Sequence, residues 1–483
     1  YSDFLIDIPM TNAEGTGWDY DITVEPKFQT AFGNLELTKV DNVGNPIESV
    51  TFKVQVTKEA MKIDTSIDEL FQSEWIDYIP DGQNKPLTLT TDNEGKIYLN
   101  NLPTTQYDGG DHIYYSKFYR LVEVFAPNGY IINNIFDMGY LPFVVLGNGR
   151  ISSEILELMY NAIQNDQYTS ENVGILCEFI PNVSITDNLT SITYVNEKPN
   201  IVKKVQNGEG EFVDNIGANL TDRLTFKVTA DIPMSIAYMK TYKITDELPD
   251  GIILDRNSIK VEGTTADGNE IISEDMYTLS QDGLELTFDT SKMYNVENDI
   301  PKYNNIIITY EAAIDTDNVV IGGNGNINTA TLEYTNKINE DLEEESTTTT
   351  TDTAEVHTGG VLLEKVEKGN TSTKLAGAKF KIATTKDNAE NGIFVQDENG
   401  TDIEVTTGEN GQAVIEGLKY ADDGSDTSYW LVETQAPSYL EDGKTKYYNL
   451  LKAPLEVQVG STTHESAVQI ENGKGFELPE TGS

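Results

Sequence analysis

The stretch Leu35–Val40 reads LELTKV and places Leu35, Leu37 and Lys39 on one face of an extended chain. A second short stretch of apolar and polar residues, Ile306–Tyr310, reads IIITY. Successive side chains of a strand point to opposite faces, so such stretches are typical of β-strands that have one face in a core. Similar runs recur along the chain between clusters of Gly, Asn and Asp, which favour turns. The sequence therefore predicts an all-β protein built of β-sandwiches.

Two parts of the chain repeat the same short segments in the same order, although the gaps between the segments differ. The first copy consists of Leu37–Asp41, Phe52–Val54, Leu121–Tyr130 and Asn196–Lys198. The second copy consists of Leu363–Glu367, Phe380–Ile382, Leu431–Tyr439 and Asn472–Lys474. Two related domains with loop insertions of different length explain this pattern.

The chain has 483 residues, enough for about three domains. We expect sandwiches at 34–198, 199–357 and 358–476, flanked by shorter segments at 1–33 and 477–483. The first sandwich should carry an insertion at 131–190, with a helix over Ser152–Asp166 that Ser152 or Ser153 can cap. The acidic, Thr-rich run Glu340–Thr353 is expected to be a solvated loop or linker.

The composition argues against several classes of function. The formal charge of −47 would repel phosphate backbones, so we expect no nucleic-acid partner. Cys177 is the only cysteine, and the three histidines are scattered, so neither a disulfide nor a His-rich metal site is expected. Aspartate-rich runs at 315–318 and 397–402 leave calcium binding as an alternative to ordinary polar turns. We expect no cofactor and no metal.

The last six residues, Leu478–Ser483, read LPETGS and resemble the LPxTG sorting signal of Gram-positive cell-surface proteins. In that family a sortase thiolate attacks the threonine carbonyl, releases the glycine side and passes the acyl group to an amine. The resemblance implies a signal made of Leu478, Pro479, Glu480, Thr481 and Gly482. Family members continue into an apolar helix and a basic tail, so we expect this chain to be a trimmed form of a secreted protein.

The stretch Trp18–Lys27, WDYDITVEPK, resembles the pilin motif WxxxVxVYPK of sortase-assembled pili. The positions that match are Trp18, Val24, Pro26 and Lys27. In that family the motif lysine resolves the acyl-enzyme, which implies that Lys27 becomes joined to Thr481 of a neighbouring subunit. An ordinary edge strand with a surface lysine is the alternative. A whole domain usually precedes the motif, and we expect either that it was cut away or that this protein differs.

Residues 34–197 and 361–475 resemble the B-type repeat of collagen adhesins (CnaB-like), an Ig-like sandwich with an internal Lys–Asn isopeptide bond. That chemistry needs a lysine made neutral by burial, a carboxamide, and a protonated acid that polarises it. Strand parity lets each of these side chains face a core. The resemblance implies the sets Lys39–Asn196 with Glu123 and Lys365–Asn472 with Glu433. The alternative is that each lysine faces solvent and each glutamate makes a surface pair.

The middle stretch resembles the A-type (CnaA-like) domain of pilus backbone subunits. The segments that carry this resemblance are Pro199–Val205, Tyr242–Gly251 and Asn326–Tyr334. The helper acid of that family is usually Asp, and parity selects Lys203 over Lys204 because it lies on the face of Ile201 and Val205. We assign Lys203–Asn328 with Asp246 as the acid. Asn336 is the alternative partner.

Together these resemblances imply the backbone subunit of a covalent cell-surface pilus, secreted and anchored to the cell wall. Its expected partners are identical subunits, a pilus-specific sortase, minor pilins and, as a further candidate, a host ligand. The chain is not expected to be a turnover enzyme, because each acid would act once within its own domain. The alternative is a wall-anchored adhesin, or a tip or base subunit, which binds a host ligand and has no use for Lys27.

Overall fold

The computed structural model describes residues 10–12, 14–19, 31–62, 69, 72–104, 107–108, 114–134, 143–144, 183–186, 189–297, 300–323, 325–338 and 346–475. These residues fall into two compact units, one within Tyr1–Val40, Gly44–Phe125 and Gly139–Val195 and the other within Asp41–Val43, Ala126–Met138 and Asn196–Ser483. The predicted helix at Ser152–Asp166 lies outside the described residues.

The strands of the first two hundred residues are β1 (Met10–Thr11), β2 (Trp18–Asp19), β3 (Ala31–Asp41), β4 (Thr51–Thr57), β5 (Met61–Lys62), β6 (Trp75–Asp77), β7 (Thr88–Thr90), β8 (Lys96–Thr104), β9 (Tyr107–Asp108), β10 (Tyr114–Ser116), β11 (Phe118–Phe125), β12 (Ile132–Asn133), β13 (Phe143–Val144), β14 (Val183–Thr186) and β15 (Leu189–Asn196). One sheet has the order β14-β15-β3-β8, and a second has the order β13-β11-β4-β6 with β7 also paired to β4. The ring of Phe52 on β4 lies 6.2 Å from that of Tyr194 on β15, so the two sheets face each other across a core.

The strands of the middle region are β16 (Ile201–Gln206), β17 (Phe212–Val213), β18 (Asn215–Gly217), β19 (Arg223–Asp231), β20 (Tyr242–Glu247), β21 (Ile252–Thr265), β22 (Gly268–Ile271), β23 (Tyr277–Leu279), β24 (Leu284–Phe288), β25 (Tyr294–Asn295), β26 (Ile300–Pro301), β27 (Asn305–Ile314), β28 (Asn326–Thr335), β29 (Lys337–Ile338) and β30 (Thr347–His357). Three short 3-10 helices span Met234–Tyr238, Glu274–Met276 and Thr290–Lys292.

Two six-stranded sheets form the middle sandwich, in the orders β17-β16-β19-β27-β21-β22 and β18-β30-β28-β20-β24-β23. Alternate residues of β16, β19, β27 and β28 are buried, as the period of two requires. Their inward side chains belong to one continuous apolar cluster, whose fully buried members include Phe226, Ile244, Ile308 and Leu332. The largest rings of this core, among them Tyr242, Tyr310 and Tyr334, are also fully buried.

The third sandwich contains β31 (Gly359–Glu367), β32 (Asn370–Lys374), β33 (Lys379–Ala383), β34 (Glu404–Thr406), β35 (Gln412–Leu418), β36 (Thr427–Gln435), β37 (Ser438–Glu441), β38 (Lys444–Tyr447), β39 (Leu455–Val459) and β40 (Val468–Asn472), with helix α1 at Lys386–Glu390. Its sheets have the orders β32-β31-β35, with β40 also paired to β31, and β34-β33-β36-β39. The first strand, β31, and the last, β40, run parallel and pair directly. An apolar cluster that includes Leu363, Phe380 and Leu431 fills the space between the sheets.

The middle and third sandwiches join through a single residue, because β30 ends at His357 and β31 begins at Gly359. The His357 ring stacks on Tyr420 with centroids 4.2 Å apart, and its Nε2 lies 2.9 Å from the carbonyl oxygen of Ala421. The backbone N–H of Gly217 donates to Asp422 Oδ1 at 2.9 Å. Packing and hydrogen bonds therefore hold this joint.

The expectation of a solvated linker over Glu340–Thr353 is wrong for its second half. Thr347 onwards is strand β30, which pairs with β28 from Thr347 to Val356. The run alternates exposed and half-buried residues before Ala354 and Val356 enter the core. Threonine is β-branched and favours strands. Because threonine occupies both faces of this strand, the sequence shows no alternation of apolar and polar residues by which the strand could be predicted.

The chain is thus an all-β protein with three sandwiches in sequence, as predicted. None of the helices in the described part is long and apolar enough to cross a membrane. The domain boundaries at 198 and 357 stay predictions.

Candidate functional site

The third sandwich brings Lys365, Glu433 and Asn472 together from strands β31, β36 and β40. The Lys365 Nζ donates to Asn472 Oδ1 at 2.7 Å and lies 3.2 Å from Glu433 Oε1. The same Glu433 Oε1 accepts from Asn472 Nδ2 at 2.7 Å. One carboxyl oxygen therefore contacts both the amine and the amide nitrogen.

This set lies in an apolar enclosure. Lys365, Glu433 and Asn472 are exposed by only 0%, 6% and 2%. The ring of Phe380 has its centroid 5.3 Å from Lys365 Nζ. Burial lowers the pKa of Lys365, although the neighbouring Glu433 acts to raise it. A lowered pKa increases the share of neutral amine, which is the nucleophilic form.

The middle sandwich builds a related set from β16, β20 and β28. Lys203 Nζ makes a short ion pair with Asp246 Oδ2, and both side chains are buried. Tyr310 on β27 adds a hydroxyl to the set. Its oxygen lies 2.7 Å from Lys203 Nζ, 2.7 Å from Asn328 Nδ2 and 2.8 Å from Asp246 Oδ2. The hydroxyl therefore connects the lysine, the acid and the asparagine.

Burial shifts the pKa values of this pair toward the neutral forms. Desolvation lowers the pKa of Lys203 to about 8, against the opposing effect of Asp246. Desolvation also raises the pKa of Asp246, against the opposing effect of Lys203. The rings of Phe226 and Tyr310 enclose the amine, each with its centroid 4.7 Å from Nζ. Low polarity thus favours an amine beside a carboxylic acid over two charges.

Two buried oxygens of the middle set, Asp246 Oδ1 and Asn328 Oδ1, have no hydrogen-bond partner among the described residues. Both are acceptors while the carboxyl group is ionised. A proton on Asp246 converts the carboxyl group into a donor, which is the state that can polarise a carboxamide oxygen. Unsatisfied acceptors of this kind are costly in a core, so the protonated acid is the better-matched form.

In the first sandwich, Lys39 on β3 and Glu123 on β11 form a fully buried pair, with Nζ 3.0 Å from Oε2. Burial lowers the pKa of Lys39, and Glu123 opposes that shift. Asn196 is exposed by only 1% and ends β15, the neighbour of β3 in its sheet. The lysine and the acid are therefore in contact, and the buried asparagine lies on the strand next to that of the lysine.

The structure separates the alternatives for the middle set. Lys203 is fully buried, whereas Lys204 points away from the core and pairs with Asp214 at the surface. Asn328 contacts the same hydroxyl as Lys203. The alternative, Asn336, has its backbone bonded to Ser346 and Ile132 instead. Its Oδ1 is buried and finds no hydrogen-bond partner in the part of the chain that the structure describes.

A lysine, a carboxamide and an acid in one dry site can carry out one acyl transfer. The neutral amine attacks Cγ of the asparagine, the acid stabilises the developing oxyanion and supplies a proton, and ammonia leaves. Both reacting side chains belong to the protein, so the product is an internal cross-link and the reaction runs once.

The remaining predicted functional residues have little structural description. Trp18 is 64% exposed on the two-residue strand β2, which pairs with β1. Lys27 and the segment Leu478–Gly482 lie outside the described residues. Of the aspartate runs, Asp315 Oδ1 accepts from the backbone N–H of Asp317, and Asp397 Oδ1 accepts from that of Asn399. These bonds are those of polar turns.

Sequence reasoning missed Tyr310. Its parity with Ile306 and Ile308 places it on the inner face of β27. A buried tyrosine needs a partner for its hydroxyl, and this was the available signal. The residues that the hydroxyl of Tyr310 contacts depend on how one sheet packs on the other. The sequence of one strand does not reveal that packing.

Comparison with protein families gives one match. Residues 359–474 match the model described as SpaA, prealbumin-like fold domain. The match covers the third sandwich together with its Lys365, Glu433 and Asn472 set, so this part of the chain carries that domain. A comparison with curated proteins finds no match.

Several solved structures are similar along most of the chain. BcpA, the major pilin subunit of Bacillus cereus, is 20% identical, with 92% of this chain and 99% of that chain covered and a TM-score of 0.46. The full-length major pilin SpaD from Corynebacterium diphtheriae is 16% identical, with coverages of 92% and 98% and a TM-score of 0.49. The Corynebacterium diphtheriae major pilin SpaA is 16% identical, with coverages of 92% and 100% and a TM-score of 0.46.

Proposed function

We propose that this chain is a backbone subunit of a covalent pilus on the surface of a Gram-positive bacterium. The observation that carries the proposal is the contact of Lys365 Nζ with Asn472 Oδ1 at 2.7 Å, beside the buried acid Glu433. A buried lysine is costly unless it is neutral, paired or consumed by a reaction. The presence of one such lysine in each of the three sandwiches favours the same reaction in all three.

That reaction is the formation of an internal isopeptide bond in each sandwich. The pairs are Lys39–Asn196, Lys203–Asn328 and Lys365–Asn472, assisted by Glu123, Asp246 and Glu433. In each case the bond forms between Nζ and Cγ, the bond between Cγ and Nδ2 breaks, and one ammonia leaves. The acid acts once, so the chain is not a turnover enzyme.

The bonds suit a subunit that bears tension. Lys365 lies on the first strand of its sandwich and Asn472 on the last, and these strands pair in parallel. A pull on the two ends of the sandwich would pass through the covalent bond instead of through backbone hydrogen bonds. The sandwich then resists extension without disulfides, which the single Cys177 cannot provide.

Subunits would be joined end to end by a pilus-specific sortase. The LPETG sequence at Leu478–Gly482 supplies the acyl group at Thr481, and Lys27 of the next subunit supplies the amine. Minor pilins and a host ligand are further partners, and the assembled fibre is anchored to the cell wall. A wall-anchored adhesin or a tip or base subunit is the competing function.

Intact-mass spectrometry of the purified chain tests the internal bonds. Each bond removes one ammonia, about 17 Da, so three bonds lower the mass by about 51 Da. Peptide mapping should recover Lys365 linked to Asn472, and Lys365→Ala should restore one step of about 17 Da. A chain at its full theoretical mass, folded and resistant to protease, contradicts the isopeptide chemistry.

Assembly is tested separately, with the chain and its sortase expressed together on a Gram-positive surface. Fibres should yield a peptide in which Lys27 is joined to Thr481, and Lys27→Ala should leave monomers anchored to the wall. Lys62→Ala serves as the control, since it removes a lysine of the first sandwich that lies outside the pilin motif. Fibres that form normally with Lys27→Ala would favour the adhesin function.

A further inference from the structure

Formation of the Lys203–Asn328 bond requires one proton to move between two nitrogens. This argument rests on the proposed isopeptide chemistry. The neutral Nζ begins with two hydrogens and ends, as an amide, with one. The Nδ2 begins with two hydrogens and leaves as ammonia with three. One proton must therefore travel from Nζ to Nδ2 for each bond formed.

In the third sandwich a single carboxyl oxygen spans the two nitrogens. Glu433 Oε1 lies 3.2 Å from Lys365 Nζ and 2.7 Å from Asn472 Nδ2. The carboxyl group of Glu433 can accept the proton from Lys365 Nζ and can pass a proton to Asn472 Nδ2. No second residue is required for this transfer.

The middle sandwich has a shorter acid. Asp246 lacks one methylene relative to Glu433, and its Oδ2 contacts Lys203 Nζ. The position that touches both nitrogens is held by the hydroxyl of Tyr310, 2.7 Å from Lys203 Nζ and 2.7 Å from Asn328 Nδ2. The hydroxyl also donates to Asp246 Oδ2 at 2.8 Å.

We propose that Tyr310 is a catalytic residue of the middle sandwich, whose hydroxyl relays the proton from Lys203 Nζ to Asn328 Nδ2. As Nζ bonds to Cγ, its proton passes to the tyrosine oxygen. Once Nζ is bonded to Cγ, the carbon is tetrahedral and Nδ2 has a free lone pair. The tyrosine's own proton then turns from Asp246 Oδ2 to Nδ2, which leaves as ammonia when the bond from Cγ to Nδ2 breaks. Tyr310 ends the reaction unchanged, and the protonated Asp246 supports the oxyanion.

The surroundings of Tyr310 suit a relay. The side chain is buried, and its ring stacks on Phe226 with centroids 5.5 Å apart, which fixes the position of the hydroxyl. Desolvation, with a contribution from Asp246, raises the pKa of Tyr310 well above its ordinary value. The hydroxyl therefore stays protonated and exchanges one proton for another, instead of acting as a tyrosinate base.

The test follows bond formation in the full chain. Chain purified unfolded from inclusion bodies, before any bond has formed, is diluted out of urea, quenched at intervals and mapped for the Lys203–Asn328 and Lys365–Asn472 peptides. With Tyr310→Phe we expect the first bond to form at least about 100-fold more slowly, as is typical for loss of a positioned proton-transfer group. The second bond should keep its wild-type rate and serves as an internal clock.

A double variant separates the relay from packing. Asp246→Glu lengthens the acid while Tyr310→Phe removes the hydroxyl, which recreates the glutamate arrangement of the third sandwich with little change in volume. We expect Asp246→Glu/Tyr310→Phe to recover most of the rate lost by Tyr310→Phe alone. A purely structural role for the hydroxyl predicts no such recovery.

The outcomes are distinct. A folded Tyr310→Phe chain that forms the bond at the wild-type rate overturns the relay. If the single variant loses its protease resistance, the double variant decides, since a folded but unbonded double variant also overturns the relay. A wild-type chain without the Lys203–Asn328 peptide contradicts the proposed function itself, which is a different failure.

Discussion

Lys365 Nζ and Asn472 Oδ1 lie 2.7 Å apart although 107 positions separate the two residues in the sequence. The strands that carry them pair in parallel, with Lys365 opposite Ile470 and Glu367 opposite Asn472. Folding alone therefore brings the amine to the carboxamide. A covalent bond here closes a loop that contains nearly the whole third sandwich.

Loss of that bond should destabilise the third sandwich strongly. By analogy with a disulfide that closes a loop of about 100 residues, we expect Lys365→Ala to lower the free energy of unfolding by about 4–5 kcal/mol. Calorimetry of the full chain should show the transition of this sandwich moving to lower temperature. Lys381→Ala is the matched control, because Lys381 is a surface lysine of the same sandwich, paired with Asp402 at 3.0 Å. Equal transitions for both variants would contradict the cross-link.

The acid of the third set should control bond formation more than folding. Glu433→Gln keeps the size of the side chain but removes the carboxyl group that can give or take a proton. We expect bond formation to slow by about 100-fold or more, seen as recovery of about 17 Da in intact mass after a short refolding period. Glu404→Gln removes a surface carboxylate that pairs with Lys379 at 3.0 Å, and should leave the mass deficit intact. A full deficit in Glu433→Gln at the earliest time would show that the acid is dispensable.

Much of the fold follows from local patterns. Alternation in Leu35–Val40 and in Ile201–Gln206 is sufficient to predict strands and to choose which side of each strand enters a core. The same alternation selects Lys203 over Lys204 for the buried face. Each of these features depends on a single strand, and the residues of a single strand are contiguous in the sequence.

Features that depend on several strands were not predictable. The Thr-rich β30 was mistaken for a linker, because its polar residues mask the alternation and its order comes from pairing with β28. Asp352 of this strand even accepts a hydrogen bond from the backbone N–H of Lys203 at 2.8 Å. Tyr310 reaches the middle set across the gap between two sheets, and this gap is set by the packing of the whole core.

The middle bond should form fastest over a limited pH range. The reactive state holds one proton on the Lys203–Asp246 pair, as a neutral amine beside a carboxylic acid. Above the lowered pKa of Lys203, about 8, the pair loses this proton and the acid is absent. Below the raised pKa of Asp246 the pair gains a second proton and the amine becomes a cation.

We therefore expect a bell-shaped profile whose alkaline limb lies near pH 8. The measurement is the rate of appearance of the Lys203–Asn328 peptide in refolding chain at a series of pH values. Protease resistance, followed in the same samples, reports folding and controls for its own pH dependence. A rate that keeps rising well above pH 8 would mean that the neutral amine suffices and that a protonated Asp246 is not required.

The joint between the middle and third sandwiches depends on a glycine. Gly417 has a φ of +79°, and a Cβ placed on it would lie 2.1 Å from Cγ of Leu220. The backbone N–H of Leu220 also donates to the Gly417 carbonyl at 3.3 Å. Gly417→Ala should therefore combine backbone strain of about 1 kcal/mol with overpacking of about 1–3 kcal/mol.

Gly424→Ala is the matched control. Gly424 has a similar φ of +82°, but no atom of the described residues lies within 4 Å of the position of its Cβ. This variant should show only the backbone strain, so Gly417→Ala is expected to unfold at a lower temperature and to be cleaved faster near residue 358 in limited proteolysis. Since neither glycine contributes a side chain to the Lys203 or Lys365 set, both mass deficits should persist in the two variants. Equal stability of the two variants would mean that Leu220 moves aside without cost and that the joint is not closely packed.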